Sequence, residues 1–144
     1  YHAQILAMFE EAGLATTFDN WKALLVEEVA KARAANPGAR ITLWDFSGFS
    51  SYQCEPIPAK GDKKAITKWY WEAGHFKPAL GDIMLSRIAG EETAATFGFP
   101  LDQASTAGNA ARIASERASC AAAQPEIFEH ARQLISTARG ARGM

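Results

Sequence analysis

The chain lacks any uninterrupted apolar run of about 20 residues, the length a membrane-spanning helix needs. It also lacks a charge imbalance: 15 Lys and Arg face 16 Asp and Glu, for a formal net charge of −1. No global basic field is therefore present to recruit nucleic acid or an anionic membrane surface. Cysteine and histidine are scarce, with only Cys54, Cys120, His2, His75 and His130. Neither cysteine lies in a C-x-x-C and the histidines are scattered, so spacing implies no metal site and no cofactor. The two cysteines pair if the protein is exported, or stand as separate thiols. There is no internal repeat. Tyr1 stands where a Met would, and no basic-then-apolar leader follows it. We expect either a removed leader or a piece of a longer chain.

What is present suits an ordinary globular domain. The 144 residues are 48% hydrophobic and 22% charged, which excludes disorder by composition. The spacing of Ile5, Leu6, Met8, Phe9 and Ala12 predicts a helix over 2–12, with Gly13 as its left-handed cap. A second helix is expected over 18–35, capped by Thr17 or Asp19, with Phe18, Trp21, Leu25, Val29 and Ala32 as its apolar stripe. Asn36-Pro37-Gly38 stops it. Residues 40–46 are β-branched or aromatic between turn signals and read as a strand. Residues 47–62 read as irregular, and 63–70 as a short helix or extended segment. Pro78 opens a helix to Ile88 with Leu80, Ile83 and Met84 on its stripe. Residues 90–100 read as a linker, followed by helices over 102–122 and 125–139. The first of these is alanine-rich, so its burial should be shallow.

This reading leaves an accounting problem. One strand cannot satisfy its own backbone donors and acceptors. The chain either hides further strands or borrows them from another polypeptide, whether a missing N-terminal portion or a homo-oligomer partner.

The most informative stretch is Trp71-Glu72-Ala73-Gly74-His75-Phe76-Lys77-Pro78. A carboxylate three residues before a histidine, in a turn ahead of a helix, orients an imidazole through one ring nitrogen and leaves the other free as a base. Gly74 permits a tight turn there. E-x-x-H also fits an exposed acid beside a structural histidine.

The segment resembles the C-terminal block of SGNH/GDSL-type hydrolases, where a D-x-x-H turn supplies the acid and histidine of a triad. It is most similar to the diverged bacterial branch related to alginate O-acetylation and D-alanyl-transfer proteins. A pattern like W-x-x-x-x-H-F-x-x-x-x-G-D recurs there, and His75, Phe76, Gly81 and Asp82 match it, with Trp71 one residue nearer to His75 than in the pattern. Trp44-Asp45-Phe46-Ser47-Gly48 is similar to that group's last core strand and following loop. The resemblance spans residues 1–90. It implies an α/β chain: the helix-rich C-terminal part of a flavodoxin-like, three-layer domain with few strands of its own, with 91–144 as a helical extension.

By that resemblance His75 is the general base and Glu72 its orienting carboxylate, in place of the usual Asp. Asp45, at a strand end, is a rival orienter. The nucleophile is harder to place, because no G-D-S-like block exists here. Ser47, Ser50 and Ser51 read as turn formers, and Cys54 has no neighbour that would lower its pKa. The resemblance implies an ester hydrolase or O-acyltransferase, inactive without a serine from elsewhere. It would act on a small acyl ester or a cell-envelope polysaccharide in a periplasmic or envelope setting. Trp71 and Phe76 would form a substrate-binding wall. Trp69 and Tyr70 complete an aromatic group of which at least two members should be core. Lys60, Lys63, Lys64 and Lys68 form a basic run that suits a solvated loop, or an acidic ligand. Glu116, Arg117, Glu126, Glu129 and Arg132 read as a wet helix face, and 139–144 as a frayed tail. The other functional reading is a non-catalytic helical interaction or assembly module.

Overall fold

A computed structural model describes residues 1–58, 61–62, 64–91 and 97–142. Lys60 and Lys63 of the basic run, residues 92–96 of the expected linker, and 143–144 of the tail lie outside the described residues.

Helix α1 (Ala3–Glu11) starts at His2, whose Nδ1 accepts the Gln4 N–H at 3.1 Å. At its end the Gly13 N–H donates to the Glu10 carbonyl and the Leu14 N–H to the Phe9 carbonyl. Gly13 sits at φ 76, so this is the left-handed cap expected from its position. That turn feeds directly into α2 (Ala15–Ala35). Leu14 precedes the helix without a side-chain cap, so α2 begins ahead of Thr17 and Asp19. Of the expected stripe of α2, Phe18, Leu25, Val29 and Ala32 are half-buried and Trp21 is exposed. Val26 is its buried residue, and Trp21 and Leu24 are more than half exposed. Phe18 is tilted on Phe9 and stacked on Trp21.

The strand expected over 40–46 is regular only at β1 (Trp44–Asp45). Its partner is β4 (Phe99–Pro100), antiparallel, in the stretch read as linker. The Leu101 N–H extends the pairing to the Leu43 carbonyl at 2.8 Å. A proline cannot donate to a ladder and is tolerated only at such a margin, which is why the pattern hides this strand. Residues 64–69 have no regular element and lead into β2 (Tyr70–Glu72), which folds back on β3 (His75–Phe76). Helices α3 (Pro78–Ala89), α4 (Thr106–Ala123) and α5 (Pro125–Arg142) complete the order. The architecture is α/β and helix-rich, with two small antiparallel sheets among the described residues. No helix of the described residues is long and apolar enough to cross a membrane.

Two cores hold it. Ala3, Leu6 and Ala7 of α1 pack with Phe49, Cys120 of α4, and Ile127, Phe128 and Ala131 of α5. The helices beyond residue 90 thus share a core with the first helix. Tyr70, Leu80 and Phe97 form the second core, with Phe46, Tyr52 and Trp69 packed against it. As its alanine content suggests, α4 buries little, only Asn109 and Cys120. Its Glu116 is not a wet residue, because it accepts the Phe49 N–H at 3.0 Å and pairs with Arg112 at 2.7 Å. A Cβ on Gly48, at φ 149, would lie 2.5 Å from that carboxylate, so the approach demands glycine.

Of the two readings open for the cysteines, the structure shows the pair. Cys54 and Cys120 are disulfide-bonded across 66 residues, with Cα atoms 5.9 Å apart. Cys54 lies in the 46–58 loop, so the bond ties that loop to α4. The Cys54→Ser, Cys120→Ser double variant should be less stable by about 2–4 kcal/mol. Urea denaturation of the two proteins, compared without reductant, measures it.

Candidate functional site

The β2–β3 hairpin is short because the Ala73-Gly74 turn returns the chain at once. The turn sets the Glu72 carboxylate against the His75 ring. Glu72 Oε1 accepts from His75 Nδ1, and Oε2 accepts the Gly74 N–H at 2.8 Å. The Gly74 amide, and after it the imidazole, hold the Glu72 carboxyl below the ordinary carboxylate range. Gly74 is not at positive φ, so it serves through this amide rather than through left-handed backbone. The His75 side chain is 83% exposed and that of Glu72 58%. An ion pair so exposed adds little to stability, so the geometry depends on what holds the hairpin. Chemically, Nδ1–H donation to Glu72 leaves Nε2 with its lone pair. Among the described residues Nε2 has no hydrogen-bond partner.

The aromatic group divides. Tyr70 is buried and Trp69 packs against the same core, whereas Trp71 and Phe76 are exposed beside the pair. Lys77 Nζ lies 4.8 Å from the Trp71 ring centre. A Cβ on Gly81 would come within 3.2 Å of the Phe76 ring, so the glycine lets Phe76 lie against α3. A groove of about 260 Å³ opens next to Glu72, between Pro56–Pro58 and Tyr70–Ala73.

Asp45 is elsewhere engaged. Its Oδ1 accepts the Ser47 N–H at 2.7 Å, its Oδ2 accepts Asn109 Nδ2 at 2.7 Å, and Lys22 Nζ lies 3.6 Å away. It joins α2, the 46–58 loop and α4, and it makes no bond to His75. Two of the loop serines are also occupied or shut in, whereas Ser51 is exposed. Ser50 Oγ donates to Gln53 at 2.6 Å, and Ser47 Oγ is buried without a partner. No described group of three or more His, Cys, Asp or Glu is arranged to hold a metal ion.

Two residues that sequence reasoning passed over hold the hairpin. Glu55 is buried, and its carboxylate accepts the Lys68, Trp69 and Tyr70 amides at 2.7–3.2 Å. His2 is buried too. Its Nε2 donates to the Glu55 carbonyl at 2.9 Å, and its own amide donates to the Ala73 carbonyl at 3.0 Å in the hairpin turn. The available signals were weak: a single acid between Cys54 and Pro56, and a histidine just ahead of a helix. No family model matches the chain, and no curated protein or solved structure matches it significantly.

Burial pushes the His2 ring below its ordinary value of 6.5, although the bond to the Glu55 carbonyl pulls the other way. Acceptance from Gln4 at Nδ1 also requires the neutral ring. The unfolded chain takes up this proton as pH falls through 6.5, while the folded chain resists it. The stabilisation is therefore complete above that pH and is lost as pH falls through the folded value. His2→Asn keeps an N-cap oxygen and removes the titration. Thermal denaturation of this variant between about pH 7.5 and 5 should show a smaller loss of Tm on acidification than the parent shows.

Proposed function

We propose that this chain carries the imidazole–carboxylate half of a serine-type ester hydrolase or O-acyltransferase site, in an SGNH-like domain of flavodoxin-like, three-layer form. The observation that carries the reading is the Glu72–His75 bond, with no partner on Nε2 among the described residues. In this reading His75 Nε2 takes the proton of a serine hydroxyl as the oxygen attacks an acyl carbon. The imidazolium that forms keeps its Nδ1–H on Glu72, and Nε2 then passes its proton to the leaving alcohol. The reading invokes no metal and no cofactor.

The serine and the oxyanion donors would come from polypeptide beyond these residues, such as an N-terminal portion, while a second copy of this chain would lend strands but no new serine block. Uncovered apolar surface on α2 (Trp21, Leu24) and α3 (Leu85, Ile88) supports this. So does the β1–β4 ladder, which among the described residues holds only two strands. Trp71 and Phe76 offer flat apolar faces to a sugar ring or acyl chain, which favours a small acyl ester or an esterified envelope polysaccharide. The disulfide favours an exported location. The same exposed helix faces favour the second reading, an assembly module without catalysis.

The two readings part in one assay. In the gene product that bears this segment and its upstream sequence, p-nitrophenyl acetate should be hydrolysed. His75→Ala should lower kcat by about a thousandfold and Glu72→Gln by about a hundredfold, with the folding transition unmoved. The present chain alone should neither turn over the ester nor label with a fluorophosphonate. An assembly module would be inert in every form.

A further inference from the structure

Glu55 stands out because it is a buried acid with no cation at ion-pair distance among the described residues. Burying a carboxylate is costly unless its oxygens are fully served. Here backbone serves them. Oε2 accepts the Lys68 amide at 2.7 Å, Oε1 accepts the Tyr70 amide at 2.8 Å, and both share the Trp69 amide at 3.1 and 3.2 Å. Three successive amides converging on one anion make a nest. This nest is the entry to β2, and β2 ends in Glu72.

The grip has a second point. The Glu55 carbonyl receives His2 Nε2–H, and the His2 amide reaches the Ala73 carbonyl between Glu72 and His75. Glu55 therefore holds the hairpin directly at its base, and through His2 at its turn. Its own backbone is anchored as well. The preceding residue, Cys54, is bonded to Cys120, and the Gln53 carbonyl receives the Ala3 amide at 2.9 Å.

We propose that Glu55 is the positioning residue of the Glu72–His75 pair, setting the hairpin geometry in which Glu72 meets His75 Nδ1. This rests on the reading of that pair as an acid–base unit. Glu55 touches no reacting atom. Its effect passes through the backbone of 68–70 into β2. A neutral amide at position 55 would offer one acceptor oxygen to three donors and turn an NH2 toward at least one of them.

The test reads the pair without needing activity. In the parent chain, ¹⁵N NMR of the His75 ring at neutral pH should show Nδ1–H as the major neutral tautomer, because acceptance by Glu72 selects it. Glu72→Leu, which removes the acceptor, should lose that preference, and Glu55→Gln should lose it too while unfolding remains cooperative. Val26→Ala, a destabilising change in α2, should leave the tautomer as in the parent. Should Glu55→Gln fail to fold, Glu55→Asp keeps the charge one methylene short and should show a partial loss.

If the tautomer changes in Glu72→Leu and persists in the foldable Glu55 variant, the positioning role is overturned and the acid–base pair survives. An unchanged tautomer in Glu72→Leu overturns the pair itself, and this inference with it. Equal tautomer loss in Val26→Ala also overturns the positioning role, since general loosening would then explain it.

Discussion

The convergence of three backbone amides on the buried Glu55 carboxylate is the constraint on which the candidate site depends. Residues 64–69 form no helix or strand that would hold them by its own hydrogen bonds. Without an internal ladder, their donors need a partner, and buried donors left alone cost about as much as a lost hydrogen bond. One anion answers all three. The neighbouring contacts extend the same logic: His2 spans from the loop to the hairpin turn, and the Tyr70 hydroxyl donates to the Tyr1 carbonyl at 2.9 Å. Burial and the Glu55 charge push the Tyr70 phenol upward, which keeps it protonated and able to donate.

This arrangement accounts for how an exposed pair keeps a defined geometry. In water, Glu72 and His75 gain little from each other. Their approach comes from a turn two residues long, held at both ends by buried groups. The same surface presents Trp71 and Phe76. Acid, base and two aromatic faces thus sit on one small element whose supports lie beneath it. Pre-organisation of that kind is what a reacting group requires, since a functional pair is more accurate when its backing is rigid. Asp45 does the opposite work. Its oxygens are committed to Ser47, Asn109 and Lys22, so it braces the loop against α2 and α4 rather than facing a reaction.

Helices were the most legible part of the sequence. Periodic apolar residues, Gly13, Pro78 and Pro125 marked α1, α3 and α5 closely, because glycine and proline act locally on the backbone. Of the strands, only β1 was legible, inside the longer stretch expected over 40–46. Phe99–Pro100 is too short for an alternating pattern, and its pairing with Trp44–Asp45 is set by tertiary placement. Periodicity misplaced one residue of the α2 stripe, Trp21, which looks like core but is more than half exposed. At the site, the Glu72–His75 spacing was visible, because a three-residue offset across a tight turn is a local matter. Glu55 was not, because its partners are main-chain amides that carry no residue signature. The cysteine pairing could be stated only as one of two options, since spacing alone does not bring Cys54 to Cys120.

That covalent link has a topological consequence. Both strands of the β2–β3 hairpin, α3 and β4 fall inside the closed ring between Cys54 and Cys120, while β1 lies outside it and is joined to it by its ladder with β4 and by the Asp45–Asn109 bond. A single backbone scission anywhere in the ring leaves two fragments that still travel as one molecule. The fold can therefore survive a nick within this stretch as long as the environment stays oxidising, and it comes apart into pieces only when the sulfurs are reduced.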